Sequence, residues 1–297
     1  MSLRVPLIAI GIGPGDSGLF KIVVRARSQK ELDRALGEGV AKEMHEIAGH
    51  EIDVDIIPEI FAGPPISGDS PQVPASPSAP LAIGGSVGHH CGTAGSLGFF
   101  AQRLSGGAIG FVSNNHVIAD SDLGKEGDDI LYPGPIDRGD RPKNVVARLV
   151  AGYPLLQKNV PIVDAAFACL QDGVIYDASS IGPSMQLQTT LVSLYQQRNV
   201  VKFGRSTGYT RGRITAFSLQ NLDVNFTSLG TITFNGQIEI ESDGDVPFSR
   251  PGDSGSLVVN PDGHPIGLLF GSSSDGRYSY VNPIADVLRA LDIRMLP

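Results

Sequence analysis

From residue 81 onward the chain is written in short apolar runs separated by turn residues, and this texture constrains its fold more than any other feature. Residues 97–100, 108–113, 144–150 and 163–170 form one set of runs, and 200–203, 212–219, 229–234, 237–242, 255–259, 265–270 and 278–281 form a second. Runs of about four to eight residues bounded by turn formers read as strands of a barrel or sandwich. The 37 Gly and 21 Pro among 297 residues suit many turns better than a helical bundle. Two similar blocks predict a mainly β chain with two antiparallel β-barrels, at about 82–180 and 198–285. Between them 186–197 reads as a short crossover helix. A terminal helix is expected over 283–291, capped by Asn282.

Ahead of the barrels, 20–26 is a β-run, Ser28 a polar start, and 30–48 a helical stretch with Leu32, Leu36, Val40 and Met44 on one face. Gly49 stops it and 51–60 is strand-like again. Residues 1–60 therefore read as a small β-α-β unit, too small to be an independent domain. Residues 61–80, dense in Pro, Ser and Gly, read as a linker to a main domain over 81–297. A unit of this size leaves sheet edges and apolar surface uncovered, so self-association into a homo-oligomer is expected of it.

Cys91 and Cys169 are the only cysteines, too few for a disulfide framework, which points to a reducing compartment. Residues 1–13 carry one Arg and an apolar run broken by Pro6 and Gly11, weak as a signal peptide and too short to span a bilayer. A cytoplasmic location is the expectation, with no membrane partner. The net charge of −8 and pI near 5.2 argue against nucleic acid, since nothing would drive counterion release.

Three local motifs carry chemistry, in the order His, Asp, Ser: Ser-Asn-Asn-His-Val-Ile-Ala around His116, Val-Asp-Ala-Ala-Phe-Ala around Asp164, and Pro-Gly-Asp-Ser-Gly-Ser around Ser254. A serine hydroxyl is a poor nucleophile near neutral pH. It needs a base within hydrogen-bond reach, and the base needs a carboxylate to fix its tautomer. The intervals, 48 residues from His116 to Asp164 and 90 from Asp164 to Ser254, let the first two lie on one barrel and the third on the other. Attack creates an oxyanion, and the backbone N–H groups of Gly252 and Ser254 are placed to meet it.

These motifs resemble those of trypsin-like serine peptidases, and the finer texture is similar to the bacterial and plant narrow-leaf-type branch. Gly92-Thr93 with Leu97-Gly98-Phe99, the stretch 201–208 with Thr210 and Gly212, and 267–270 with Asn282-Pro283-Ile284 extend the likeness over roughly 81–297. The resemblance implies a chymotrypsin-like fold and a serine endopeptidase acting on protein or peptide substrates without metal or organic cofactor. It places pocket walls at Phe248, Ser249, Arg250 and Pro251 and at Phe270, Gly271 and Ser272, with no acidic floor, which favours an apolar or small residue before the scissile bond. Val117 stands where secreted animal relatives carry a cysteine, and no activation-cleavage sequence precedes the first barrel, so Asp253 needs a partner other than a new N-terminus. Hydrogen bonds from its own loop are one candidate. The alternative from another class is a latent protease-fold module that acts in assembly through its N-terminal unit.

Other motifs are weaker. A second Gly-Asp-Ser-Gly places Ser17 ahead of His116 and Asp164 and outside the barrels, where a polar turn suffices. Gly11-Ile12-Gly13-Pro14-Gly15 has Asp16 where a dinucleotide fingerprint needs glycine. His45-Glu46 and His50 are one residue too far apart to share a helix face. His89, His90 and Cys91 lack a further close ligand pair and read as turn residues, so no metal is expected.

Overall fold

The computed structural model describes residues 9–15, 19–37, 51–63, 80–183 and 185–297. The N-terminal segment gives β1 (Ala9–Pro14), β2 (Phe20–Ala26), α1 (Gln29–Leu36), β3 (Ile52–Ile56) and β4 (Ile60–Ala62). Ser28 caps α1, its side chain accepting the Glu31 N–H at 3.2 Å. The rest of the helix expected to residue 48, with Gly49, His45, His50 and Ser17, lies outside the described residues. β2 pairs parallel with β3, as a β-α-β unit requires, and antiparallel with β1.

The first barrel region holds β5 (Leu81–Ile83), β6 (Ser86–His89), β7 (Gly95–Ser96), β8 (Phe99–Arg103), β9 (Ile109–Ser113), the one-turn α2 (Asn115–Ile118), β10 (Asp129–Leu131), β11 (Val145–Gly152) and β12 (Ala166–Leu170). β13 (Tyr176–Ile181) and β14 (Met185–Gln186) form a small sheet with β5. The second region holds β15 (Asn199–Gly204), β16 (Gly208–Gln220), β17 (Leu222–Phe226), β18 (Gly230–Phe234), β19 (Gln237–Ser242), β20 (Leu257–Val259), β21 (Pro265–Ser273) and β22 (Tyr278–Pro283). α3 (Ile284–Leu291) and β23 (Ile293–Met295) end the chain.

β15, β16, β19, β22, β21 and β20 pair antiparallel in a ring and close the second barrel. Alternation puts Val200, Ile214, Ile238, Ile240, Val258, Leu269 and Val281 into its core. The first sheet, in the order β23-β8-β9-β12-β11-β10-β6-β7, curls into a half-barrel around Phe99, Phe111, Val112, Ile130 and Leu149. This is the chymotrypsin-like double-barrel fold expected from the sequence.

Four local expectations change. The N-terminal unit is not attached by a tether alone, because β1 pairs antiparallel with β16 and so continues the second barrel's sheet. Arg25 on β2, 2% exposed, pairs with Glu239 on β19, 0% exposed. The stretch expected as a linker from Phe61 begins inside β4, and 64–79 lie outside the described residues. Residues 186–197 form only a 3₁₀ turn at Leu194–Gln196, since Thr189, Thr190 and Val192 are β-branched residues with little helix preference. Finally, α3 has Pro283 at its N-cap with no side-chain cap bond, because the Asn282 side chain is engaged elsewhere. Among the described residues no helix is long and apolar enough to cross a membrane.

Candidate active site

His116 and Asp164 come from neighbouring strands of the first sheet. β9 and β12 pair antiparallel, with Ser113 opposite Ala166, so α2 after β9 and the residues before β12 emerge at the same end. His116 lies on α2. Its backbone N–H donates to Asp164 Oδ1 at 3.2 Å, and its Nδ1 meets Asp164 Oδ2 in a short contact. The carboxylate is fully buried and its backbone is held from both sides. Asn114 Nδ2 donates to the Asp164 carbonyl at 2.7 Å, and the Asp164 N–H donates to Asn282 Oδ1 at 3.0 Å. Asn282 Nδ2 in turn donates to Gln237 Oε1 at 2.7 Å, which fixes the amide's orientation. Asn282 therefore spends its side chain across the barrel junction and not on the helix it precedes. With Nδ1 bound to the carboxylate, Nε2 is the nitrogen left for chemistry; it is buried and bonds to nothing among the described residues. The Phe226 ring stands edge-on to the imidazole at 5.8 Å.

Ser254 lies in the loop before β20 of the second barrel. The first sheet presses on that loop through Ser96, whose N–H donates to the Ser254 carbonyl at 2.7 Å and whose Oγ donates to the Gly252 carbonyl at 3.1 Å. Ser113 Oγ and Ser96 O lie 2.3 Å from where a Cβ on Gly255 would stand, and φ there is 91°, so only glycine fits. The N–H groups of Gly252 and Ser254 find no acceptor among the described residues. Two free amides, one of them the serine's own, are the donors that an oxyanion site requires.

Asp253, between those two amides, is fully buried. It accepts from the N–H groups of Arg250 (3.0 Å), Ser206 (2.8 Å) and Thr207 (3.1 Å) and from Thr207 Oγ1 (2.8 Å). Lys202 Nζ stands 3.6 Å away, also with no exposed side-chain surface, and donates to Thr207 Oγ1 at 2.5 Å and to the Gly208 carbonyl at 3.2 Å. The loop's own amide contributes as expected, and the missing cation is Lys202. Burial pushes the Lys202 ammonium below its ordinary value, and the Asp253 charge pulls it part of the way back. A lysine inside the apolar run 200–203 was the signal for this partner.

A cavity of about 190 Å³ beside Ser254 is lined by Ser249, Arg250, Pro251, Leu269, Gly271 and Ser272, together with Phe61, Gly63 and Thr227. Five of the seven expected wall residues are therefore at the site. Phe248 and Phe270 are not: Phe248 is buried in the barrel core with Lys202 Nζ 5.7 Å from its ring centre, and Phe270 packs against Phe234 at 5.0 Å. A second cavity, about 230 Å³, holds His116 with Thr93, Asp120, Ala62, Gly63 and Thr227 on its wall. Gly63 and Thr227 border both cavities, and residues 61–63 are the part of the site that composition read as linker.

The donor atoms of His89, His90 and Cys91 lie within 4.8 Å of one another. His89 has both ring nitrogens engaged, Nε2 with Asp128 at 3.0 Å and Nδ1 with the Cys91 N–H at 3.3 Å, which leaves it no lone pair for a metal.

Residues 173–282 match the family model of the Nal1 C-terminal domain. The protein NARROW LEAF 1 of Oryza sativa subsp. japonica is 28% identical over 211 residues, covering 62% of this chain and 35% of that protein. The chain thus spans about a third of that relative's length. Among solved structures, Thermobifida fusca Protease A is similar with a TM-score of 0.51 at 15% identity, over 73% of this chain and 99% of its own. Nocardiopsis protease gives a TM-score of 0.51 at 20% identity, over 74% and 100%. The architecture is that of trypsin-like serine proteases, and the sequence matches lie with the narrow-leaf branch.

Proposed function

We propose that the chain is a serine endopeptidase in which Ser254 is the nucleophile, His116 the general base and Asp164 the group that orients it. The observation that carries this reading is the His116–Asp164 pair, which engages Nδ1 and so reserves Nε2 for a second partner, together with Ser254 in the adjoining cavity and the unpaired N–H groups of Gly252 and of Ser254 itself. Ser254 Oγ attacks the peptide carbonyl while Nε2 takes its proton, and the oxyanion rests on the Gly252 and Ser254 N–H groups. The imidazolium returns the proton to the leaving amine as the C–N bond breaks, giving an acyl ester on Ser254. Water, deprotonated by the same nitrogen, then releases the acid and restores the serine. A cationic carbonyl-side residue is disfavoured, because the cavity beside Ser254 has no carboxylate among its lining residues, and the modest volume of about 190 Å³ with Phe61, Pro251 and Leu269 on its wall favours a small or apolar one. The two unpaired thiols, Cys91 and Cys169, favour a reducing compartment as the place of action.

A latent protease-fold module is the second reading. It is favoured by the unbound His116 Nε2, since a serine already poised for attack would donate to it. A small fluorophosphonate separates the two by transferring its phosphonyl group to an activated serine with loss of fluoride. Labelling of the wild-type chain that vanishes in Ser254→Ala and in His116→Ala is expected. A chain that stays unlabelled while folded refutes the peptidase reading.

A further inference from the structure

β20 begins at Leu257, three residues after Ser254, and its pairing with β21 ends at Leu268. The Ser254 loop leaves β21 at Leu269, whose carbonyl accepts the Gly255 N–H at 2.8 Å and whose N–H donates to Ser256 at 3.0 Å. Past that point the edge of β21 facing the nucleophile would present unpaired N–H and C=O groups, which is how an extended peptide is captured by strand addition. The edge is not free. β4 fills it antiparallel, with Phe61 opposite Ser272 and Ile60 opposite Ser273, and the Ser274 N–H donates to the Glu59 carbonyl at 2.8 Å. On its other side β4 pairs parallel with β17.

The occupant runs toward the chemistry. Ile60 and Ala62 turn into the apolar cluster of Val224, Phe226 and Phe270, while the alternate residue Phe61 is 44% exposed and borders the cavity beside Ser254. Beyond them, Ala62 and Gly63 reach the His116 cavity, and Gly63 borders the Ser254 cavity as well. Gly63 and Thr227 are therefore shared by the walls of the His116 cavity and the Ser254 cavity. Gly271 completes the fit: a Cβ there would lie 3.3 Å from the Phe61 carbonyl.

We propose that Ile60–Gly63 is a built-in competitor for the peptide-binding edge of β21. The slot between β17 and β21 takes an extended segment with an aliphatic side chain and, two residues later, a small one, and substrate binds by displacing β4. This rests on the peptidase reading, because it takes the Ser254–His116 cleft as the place of peptide binding. In the resting protein the chain's own strand excludes substrate.

The test is fluorescence anisotropy with a labelled peptide Pro-Glu-Ile-Phe-Ala-Gly, in the full-length Ser254→Ala chain so that binding is read without turnover. Phe61→Pro, which removes an amide from β4 and disfavours its pairing, is expected to tighten peptide binding at least tenfold. Equal affinity overturns the proposal. Should Phe61→Pro fail to fold, the pair Phe61→Cys and Ser272→Cys, directly opposite across the two strands, locks β4 in place on oxidation. The reduced form is then expected to bind peptide and the oxidised form to exclude it. Equal behaviour of the two, including no binding by either, overturns the proposal. Tighter binding in Phe61→Pro without hydrolysis by the chain that keeps Ser254 supports the competitor and removes the peptidase reading. Hydrolysis at the parent rate without tighter binding does the reverse.

Discussion

Replacing Lys202 by methionine tests how the loop that carries Ser254 is held by the buried Lys202–Asp253 pair. The side chain keeps most of its volume and loses its charge, so the change isolates the ion pair from packing. Asp253 would then be a carboxylate with no exposed surface and no cation, a situation that costs about 3–5 kcal/mol when a buried pair is broken. Three backbone N–H groups and the Thr207 hydroxyl still donate to it, which places the expected loss near the lower end, about 3 kcal/mol. Rate suffers separately, because Asp253 sits between the Gly252 and Ser254 amides and its displacement misaims them. Losing one such donor is worth about 10²–10³ in rate. Urea unfolding measures the first effect, and the rate of Ser254 labelling by a fluorophosphonate measures the second. Adding Asp253→Asn removes the stranded charge but turns an amide nitrogen toward backbone N–H groups that a carboxylate oxygen accepts, so the double variant regains part of the lost stability and little of the rate. The reasoning fails if Lys202→Met unfolds within about 0.5 kcal/mol of the parent, or if the double variant is no more stable than the single. The pH dependence has a defined sign. Burial holds the folded Lys202 below the ordinary lysine value of 10.5, so between the two values the unfolded chain binds more protons and this group's contribution to stability rises with pH. Labelling should fall across the same window as the ammonium is lost, while the protein stays folded. Lys202→Met should lack that alkaline limb.

Asp164→Asn should lower kcat by about 10⁴ and Ser254→Ala by about 10⁶ on a peptide substrate, read on the folded fraction of each preparation; parent-like hydrolysis by either clean preparation contradicts the assignment. Asn282→Leu removes the acceptor of the Asp164 N–H and strands a buried donor, at a cost of about 1–3 kcal/mol. A role in positioning Asp164 further requires that kcat fall with KM unchanged, whereas a purely structural role leaves the activity of the folded fraction intact. Arg25→Met leaves Glu239 buried without its cation and should cost about 3–5 kcal/mol in urea unfolding; a loss below about 1 kcal/mol would mean that the N-terminal unit is only loosely joined to the barrel. Burial pushes the Asp53 carboxyl up, but the Arg25 and Lys21 charges outweigh it and the net shift is downward from 3.8. Its stabilising effect is therefore complete above that value and lost as pH falls through the lower folded one, and Asp53→Asn should flatten the acid limb of the stability–pH curve.

What could be read in the sequence was what short-range chemistry writes there. The strands announce themselves by runs between turns, so the two-barrel fold was legible, and His116, Asp164 and Ser254 sit in local motifs that name them as candidates, the first two of which the fold brings into contact. Partners chosen over long separations were not. Asn282 obeys the local rule for a helix cap, yet a bond to a residue 118 positions away outcompetes that rule. Lys202 looked like one strand residue among others until Asp253 was folded against it. β4 is the extreme case, because three residues followed by Gly-Pro-Pro are too short a run to read as a strand even though Ile60 and Phe61 favour one, and the edges of β17 and β21 complete it. Composition therefore separated the N-terminal unit from the site by a linker. The fold does the opposite and brings the first residues of that linker to the walls of both cavities, the one that holds His116 and the one beside Ser254. A three-residue segment held by short ladders is also the kind that another extended peptide can replace. The feature that hid β4 from the sequence is the one that suits it to give way.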